Sequence, residues 1–257
     1  SANTEAISRW VDMLGLSALV GLVATSACRS SGEHRSHWRR RGRSTKLPSP
    51  MIDQSFAKLV ESMAARTPTP GGGAAAAMSG CLGASLLLMV VRFSRGKKAN
   101  EARESDLGAA EERLQSQLGD LMPMAERDCA SYDLVSKAYG LPKETDEQKD
   151  ARKGAIQEAM VGAMMVPEQT LNMVHEVFNT MDKVVDCVGK SIASDLASGG
   201  AMLSAAAEGA FLNVRINAAY LDDRELAGST MTRATAVRDA IRQQHKAVAD
   251  LVDQLLG

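Results

Sequence analysis

Aromatic side chains are scarce in this chain, at 4% of 257 residues. Its apolar 45% therefore comes from Ala, Leu, Val and 14 Met, and Ala, Leu and Met are strong helix formers. A mostly α-helical fold is the first expectation, and the small residues let helices approach closely. Cysteines number four (Cys28, Cys81, Cys129, Cys187), with no CxxC and no zinc-type spacing, so neither a zinc site nor a disulfide framework is expected. They read as reduced thiols. His175 and His245 also stand apart, so no metal is expected. No catalytic triad, internal repeat or strand pattern is present. The glycine-rich stretch lacks the GK[ST] of a nucleotide P-loop, which excludes an ATPase of that type.

Net charge is also small, at −1, but unevenly distributed. Residues 1–50 hold eight Lys/Arg against three acids (net +5), and the remainder holds 22 against 28 (net −6). A nucleic-acid role needs basic surface on the folded part, and only the tail has it. Met13 to Ala27 is an apolar run of signal-peptide length before Cys28, yet Glu5 and Asp12 precede it where export needs basic residues. It is too short for an ordinary membrane span. His34 and His37 follow in an arginine-rich stretch without periodicity. Residues 1–50 are read as a disordered or artefactual extension, and 51–257 as the working domain.

Hydrophobic periodicity from Met51 onward predicts an all-α, up-and-down bundle with long, partly kinked helices. Ile52–Ala65 is amphipathic and ends at Thr67-Pro68-Thr69-Pro70-Gly71-Gly72-Gly73. Ala74–Val91 carries no charge and reads as a core helix wrapped on all sides, in preference to a membrane span. A helix from about Ala102 to Ala138 presents Leu114, Leu118, Leu121, Ala125, Asp128, Tyr132 and Val135 as one seam. Further helices are expected over 146–188, divided or kinked at Pro167, over 196–220 and over 226–255.

Chemistry is expected where this pattern breaks. Asp128 occupies a seam position that should be apolar, where an ionised carboxylate is costly. It pairs with a cation, faces a ligand pocket, or is kept protonated by burial as acid catalysis requires, unless it is a bundle-core Asp bonded to a neighbouring helix. Asn213 and Asn217 lie on a face of small residues with Leu203, Ala206 and Ala210. They offer paired donors and acceptors to a heterocycle, or bonds between helices. Pro70, Gly71, Gly72 and Gly73 lead into a helix N-terminus, where free N–H groups point outward, although such glycines also let helices touch. Arg92, Arg95, Lys97 and Lys98 crowd the far end of that helix, as dipole complement or as a dock for an anionic tail. Ser194-Asp195 reads first as a helix N-cap.

In order, three stretches resemble one family: SFAKLVESMAARTPTPGGGAAAAMSGCLGASLLLMV, AERDCASYDLVSKAYGLPKETDEQKDARKGAIQEAM and SDLASGGAMLSAAAEGAFLNVRINAAYLDD. They resemble formiminotetrahydrofolate cyclodeaminase and methenyltetrahydrofolate cyclohydrolase domains and are spread in order over residues 55–223. The resemblance implies a cytoplasmic enzyme that self-associates, at least as a homodimer, and acts on a folate, polyglutamylated forms included. It implies no cofactor beyond the tetrahydrofolate substrate, no metal, no nucleic acid and no membrane. Asp128 matches the family's acidic proton donor. Pro70, Gly71, Gly72, Gly73, Ser194, Asp195, Asn213 and Asn217 would line the pterin and one-carbon site. Lys97 and Lys98 match a basic segment for the glutamate tail, although Ala99-Asn100 stands where the family often has an aromatic residue. The first expectation is cyclisation of 5-formiminotetrahydrofolate with release of ammonia. The alternatives are ring opening of methenyltetrahydrofolate and a non-catalytic helical binding module.

Overall fold

A computed structural model describes residues 51–257. The apolar run before Cys28 and the His34/His37 pair lie outside the described residues. The chain divides into two units, Ser1–Asp53 and Gln54–Gly257. Of the first, the described part is a 3-10 turn, Met51–Asp53.

The second unit holds seven α-helices: α1 (Phe56–Ala64), α2 (Gly72–Ser94), α3 (Glu104–Leu121), α4 (Met124–Tyr139), α5 (Asp146–Met181), α6 (Ala193–Ala219) and α7 (Arg224–Leu256). Among the described residues there is no strand, and the fold is an all-α bundle. Helices α2, α5 and α6 form its centre. Helices α3 and α4 pack on α2 and α5, and α7 packs on α5 and α6.

The helix starts follow local chemistry. Thr145 and Gln148 form a capping box at α5, and Asp223 accepts from the Leu226 N–H (2.9 Å) at α7. Pro123, which has no N–H to donate, divides the expected 102–138 helix into α3 and α4. The expected N-cap at Ser194-Asp195 is not formed. The chain enters α6 through a 3-10 turn, Lys190–Ile192, which starts the helix at Ala193 and leaves both residues in its first turn.

Pro167 does not interrupt α5, which is helical from Asp146 to Met181. A proline at 167 leaves the carbonyl of Ala163 without its helical donor. The Asn217 side chain supplies one, with Nδ2 donating to the Ala163 oxygen at 2.7 Å. The donor missing from one helix is thus supplied by a side chain of another.

Helices α2 and α6 run antiparallel and very close. A Cβ on Gly83 would lie 2.7 Å from Leu203 Cγ and 2.8 Å from the Gly199 carbonyl oxygen. Only glycine fits that crossing. The expectation that α2 is wrapped on all sides is corrected: Gly83, Ala84, Leu87 and Leu88 are buried, but Leu82 is 53% exposed and Phe93 is exposed. α1 buries no residue at all, with Phe56 75% exposed.

Gly83→Ala should lower unfolding free energy by about 1–3 kcal/mol through overpacking. Gly119→Ala, where a Cβ meets nothing within 4 Å, should be neutral or stabilising by up to about 1 kcal/mol. Urea melts of the two variants check the contrast; equal effects would remove the tight crossing as a determinant of stability.

Candidate functional site

At the end of the bundle where α2 begins, the loop 68–72 meets α4, α5 and the C-terminal half of α6 around a cavity of about 330 Å³. Asp128, Ser131, Tyr132 and Val135 line it from α4, and Met160 and Ala163 from α5. Asn213, Ile216, Asn217 and Tyr220 line the side formed by α6 and the turn after it, and Pro68, Thr69, Gly71 and Gly72 close the remaining side. The volume suits one bicyclic heterocycle and leaves a longer ligand to emerge at the mouth.

The Asp128 carboxylate lies against the first turn of α2. A Cβ on Gly73 would collide with its oxygens, so the third glycine of the turn is the space that the carboxylate fills. Burial pushes the Asp128 carboxyl up to about 6, and the backbone N–H of Ala74, donating to it, offsets part of that rise. Asp128 has no ion pair among the described residues. The next residue, Arg127, points elsewhere: it donates to Met124 Sδ (3.3 Å) and Gln169 Oε1 (3.0 Å). Glu126 is exposed.

The two asparagines are held through their amide nitrogens. Asn213 Nδ2 donates to the Gly209 carbonyl (2.8 Å) and Asn217 Nδ2 to that of Ala163 (2.7 Å). Each side chain is oriented by that bond, and its amide oxygen is the acceptor left for a ligand. A Cβ on Gly72 would sit 3.3 Å from Asn213 Nδ2, so the glycine turn also makes room for an asparagine. Gln157 clamps the turn after α6 from both sides. Its Nε2 donates to the Tyr220 carbonyl (3.2 Å), and its Oε1 accepts from the Asp222 N–H (2.7 Å).

Asp128, Asn213 and Asn217 thus share one cavity with Gly71 and Gly72, while Pro70 and Gly73 flank it within the same turn. The Thr69–Pro70 bond is cis. Lys97, Lys98, Ser194 and Asp195 lie elsewhere. They sit at the opposite end of α2 and α6, and the 23 residues of α2 place that end about 35 Å away. There Lys97 Nζ lies beside Gly189, just before α6. Arg92 and Arg95 are paired with Glu111 and Glu104 at 2.7–2.8 Å, whereas neither Lys97 nor Lys98 has a carboxylate partner among the described residues. The dipole-complement reading thus describes the arginines, and the lysines are left over.

Tyr132 and Tyr220 flank the cavity as half-exposed rings that sequence reasoning did not single out as site residues. Both signals were in the spacing, since Tyr132 is one turn beyond Asp128 and Tyr220 three residues beyond Asn217. Gln157 had no such signal, because its partners are backbone atoms more than sixty residues away. Among the described residues no three His, Cys, Asp or Glu gather as metal ligands.

An all-α domain with a half-buried carboxyl and two amides around a heterocycle-sized cavity defines a class of site, and comparison with known proteins gives the family. The formiminotransferase-cyclodeaminase family model matches residues 55–236, and the chain belongs to that family. It is 40% identical over 177 residues to a methenyltetrahydrofolate cyclohydrolase of Methylorubrum extorquens, covering 68% of this chain and 84% of that one. It is 28% identical over 204 residues to the formimidoyltransferase-cyclodeaminase of Gallus gallus, covering 79% of this chain but 38% of that longer protein. A crystal structure of a formiminotetrahydrofolate cyclodeaminase from Thermotoga maritima shares the fold, with TM-score 0.69 at 24% identity, covering 79% of this chain and 99% of that one.

Because the native state raises the pKa of Asp128 above its ordinary 3.8, the folded chain holds this proton more tightly than the unfolded one. Stability should therefore fall as pH rises from about 4 to about 6, by about 2–3 kcal/mol at most. Asp128→Asn, which cannot ionise, should be more stable than the parent at pH 7.5 and lose that advantage below pH 4. Paired urea melts at the two pH values test this, and an advantage unchanged by pH would show that the carboxyl is not held against ionisation.

Proposed function

We propose that this chain is a methenyltetrahydrofolate cyclohydrolase, with Asp128 as its proton-transfer group. The observation that carries this reading is the 40% identity to a cyclohydrolase across most of both chains, combined with a half-buried carboxyl of raised pKa at a heterocycle-sized cavity. Water adds to the methenyl carbon between the two nitrogens, and the tetrahedral carbon then loses its bond to one of them. One water is consumed, the departing nitrogen gains a proton, and one proton is released overall as the formyl group forms. A carboxyl that titrates near 6 is suited to take the proton from water and return it to nitrogen.

Ammonia-releasing cyclisation of 5-formiminotetrahydrofolate, the first expectation from the sequence, is the second reading. The family model and the longer bifunctional relatives favour it. There the amine nitrogen attacks the formimino carbon, the tetrahedral carbon carries a third nitrogen as NH2, and protonation expels it as ammonia. The same cavity serves both, because each reaction passes through a tetrahedral carbon and protonates a departing nitrogen.

In this reading Asn213, Asn217 and the turn Pro70–Gly73 hold the pterin with Tyr132 and Tyr220 at its faces, and no cofactor beyond the folate is used. The three described cysteines are free thiols, which supports a reducing, cytoplasmic setting. The active form is a homo-oligomer, at least a dimer.

Purified protein should open methenyltetrahydrofolate, followed by loss of the methenyl chromophore, faster than it releases ammonia from the formimino substrate. The reverse order would favour the second reading, and neither activity would favour a binding module. Asp128→Asn should lower turnover by about two to four decades. If Asp128 begins the cycle as a base, kcat/KM should rise through about pH 6; if it begins as an acid, kcat/KM should fall through the same pH. The Asn variant should lose that limb in either case.

A further inference from the structure

The turn that follows α6 supplies part of the cavity wall without belonging to a helix. Tyr220 is 58% exposed and lies one residue past the last helical position, Ala219. Its carbonyl is among those that a helix end leaves without an intrahelical donor. Leu221 is 1% exposed and anchors the turn in the core, so Tyr220 and Asp222 stand on either side of a fixed point. The Gln157 side chain takes the two backbone groups that flank this point. Its Nε2 donates to the Tyr220 oxygen (3.2 Å) and its Oε1 accepts from the Asp222 N–H (2.7 Å). One amide closes both halves of the turn, as a neighbouring peptide group would.

We infer that Gln157 is a positioning residue of this site, which acts through Tyr220 and sets affinity for the planar ring of the ligand. The inference rests on the proposed folate activity for the identity of that ring. Gln157 itself does not line the cavity, whereas Met160 and Ala163, three and six residues further along α5, do. The carbonyl of Ala163 holds the Asn217 amide, and the side chain of Gln157 holds the backbone of Tyr220. Helix α5 therefore fixes two lining residues separately, one an amide and the other a ring. Neither is left to its own helix.

A clamp of this kind could serve the fold alone, and its surroundings argue against that. Both bonds lie in exposed surroundings, so water replaces them when the side chain is lost and little stability goes with them. Lys153, one turn earlier on α5, pairs with the Asp222 carboxylate at 3.1 Å, but both side chains are exposed and such a pair is weak in water. Burial of Leu221 and the N-cap bond of Asp223 already hold the turn to the bundle. Water cannot fix a direction. An aromatic ring stacks on a ligand only while its plane is held, and Tyr220 shares the cavity with one other ring, that of Tyr132. Freeing one stacked ring is expected to weaken binding about three- to tenfold.

The test is a double-mutant cycle of Gln157→Leu and Tyr220→Ala in the full chain, read on whichever of the two folate reactions the parent catalyses. Gln157→Leu should raise KM about three- to tenfold, with kcat within about twofold of the parent and a nearly parental urea midpoint. In the Tyr220→Ala background the same substitution should change KM no further. Hydrogen exchange at the Asp222 amide should quicken in the Leu variant. Gln157→Glu keeps an acceptor for that amide but no donor for the Tyr220 carbonyl, so it should restore protection at Asp222 while KM stays raised. It carries the same test where the Leu variant does not fold. Parental KM in the Gln157 variants would overturn the inference, as would a fall in kcat alone or KM effects that multiply in the double variant. Lost stability with parental KM would reduce the clamp to a structural one. A parent that neither turns over nor binds either folate would instead overturn the functional reading, and the role of Gln157 with it.

Discussion

The contact between the Asp128 carboxylate and the backbone of Gly73 is the constraint around which this domain is arranged. It fixes where α4 meets the start of α2, and no residue larger than glycine can stand at 73 without displacing the carboxylate. It also creates the chemistry. A carboxyl pressed between two helix ends, with one backbone N–H and no cation to hold its charge, is pushed up to about 6 by burial. A paired carboxylate would ionise more readily. The fold carries a local cost of ionisation at this carboxyl, the kind of perturbation that gathers at functional sites.

The same coupling recurs one layer further in. A proline within a long helix normally costs a hydrogen bond and bends the axis. Here the carbonyl left over by Pro167 is taken by Asn217, so the bond that satisfies a freed carbonyl of α5 also orients a side chain of the cavity. Asn213 is likewise tied to its own helix at Gly209 while Gly72 gives it room. Two amides of the cavity wall are therefore each fixed by one hydrogen bond from the side-chain nitrogen. Such bonds are how a site built on helices holds its side chains in place.

Much of this was legible from the sequence because the site residues violate helical periodicity. Asp128 breaks an apolar seam, Asn213 and Asn217 break a small-residue face, and three glycines open an uncharged helix. A polar residue at a position that packing reserves for apolar ones is informative, since burial makes it costly to keep without a purpose. Element bounds were less legible where the decisive partner is distant or conformational. Pro123 splits one expected helix while Pro167 leaves another intact, and the carbonyl that Pro167 frees finds its donor in Asn217, fifty residues later in the chain. The N-cap expected at Ser194 failed because the preceding 3-10 turn delivers the chain already coiled at Ile192. Gln157 was silent, since nothing in an exposed amide announces that it will clamp the backbone at Tyr220 and Asp222.

Helix α2 has more apolar surface than its own chain covers. An uncharged run of this length has two obvious homes, a lipid bilayer and the centre of a bundle, and the second accounts for only half of its circumference. The remaining half shares its lack of charge with the neighbouring stretch of α6, and a face built by two helices in register is a surface rather than a leftover of core composition. The same helix, α2, has the Asp128 carboxyl at its Gly72 end and Lys97 and Lys98 beyond its other end, so its length holds the two groups about 35 Å apart within the chain.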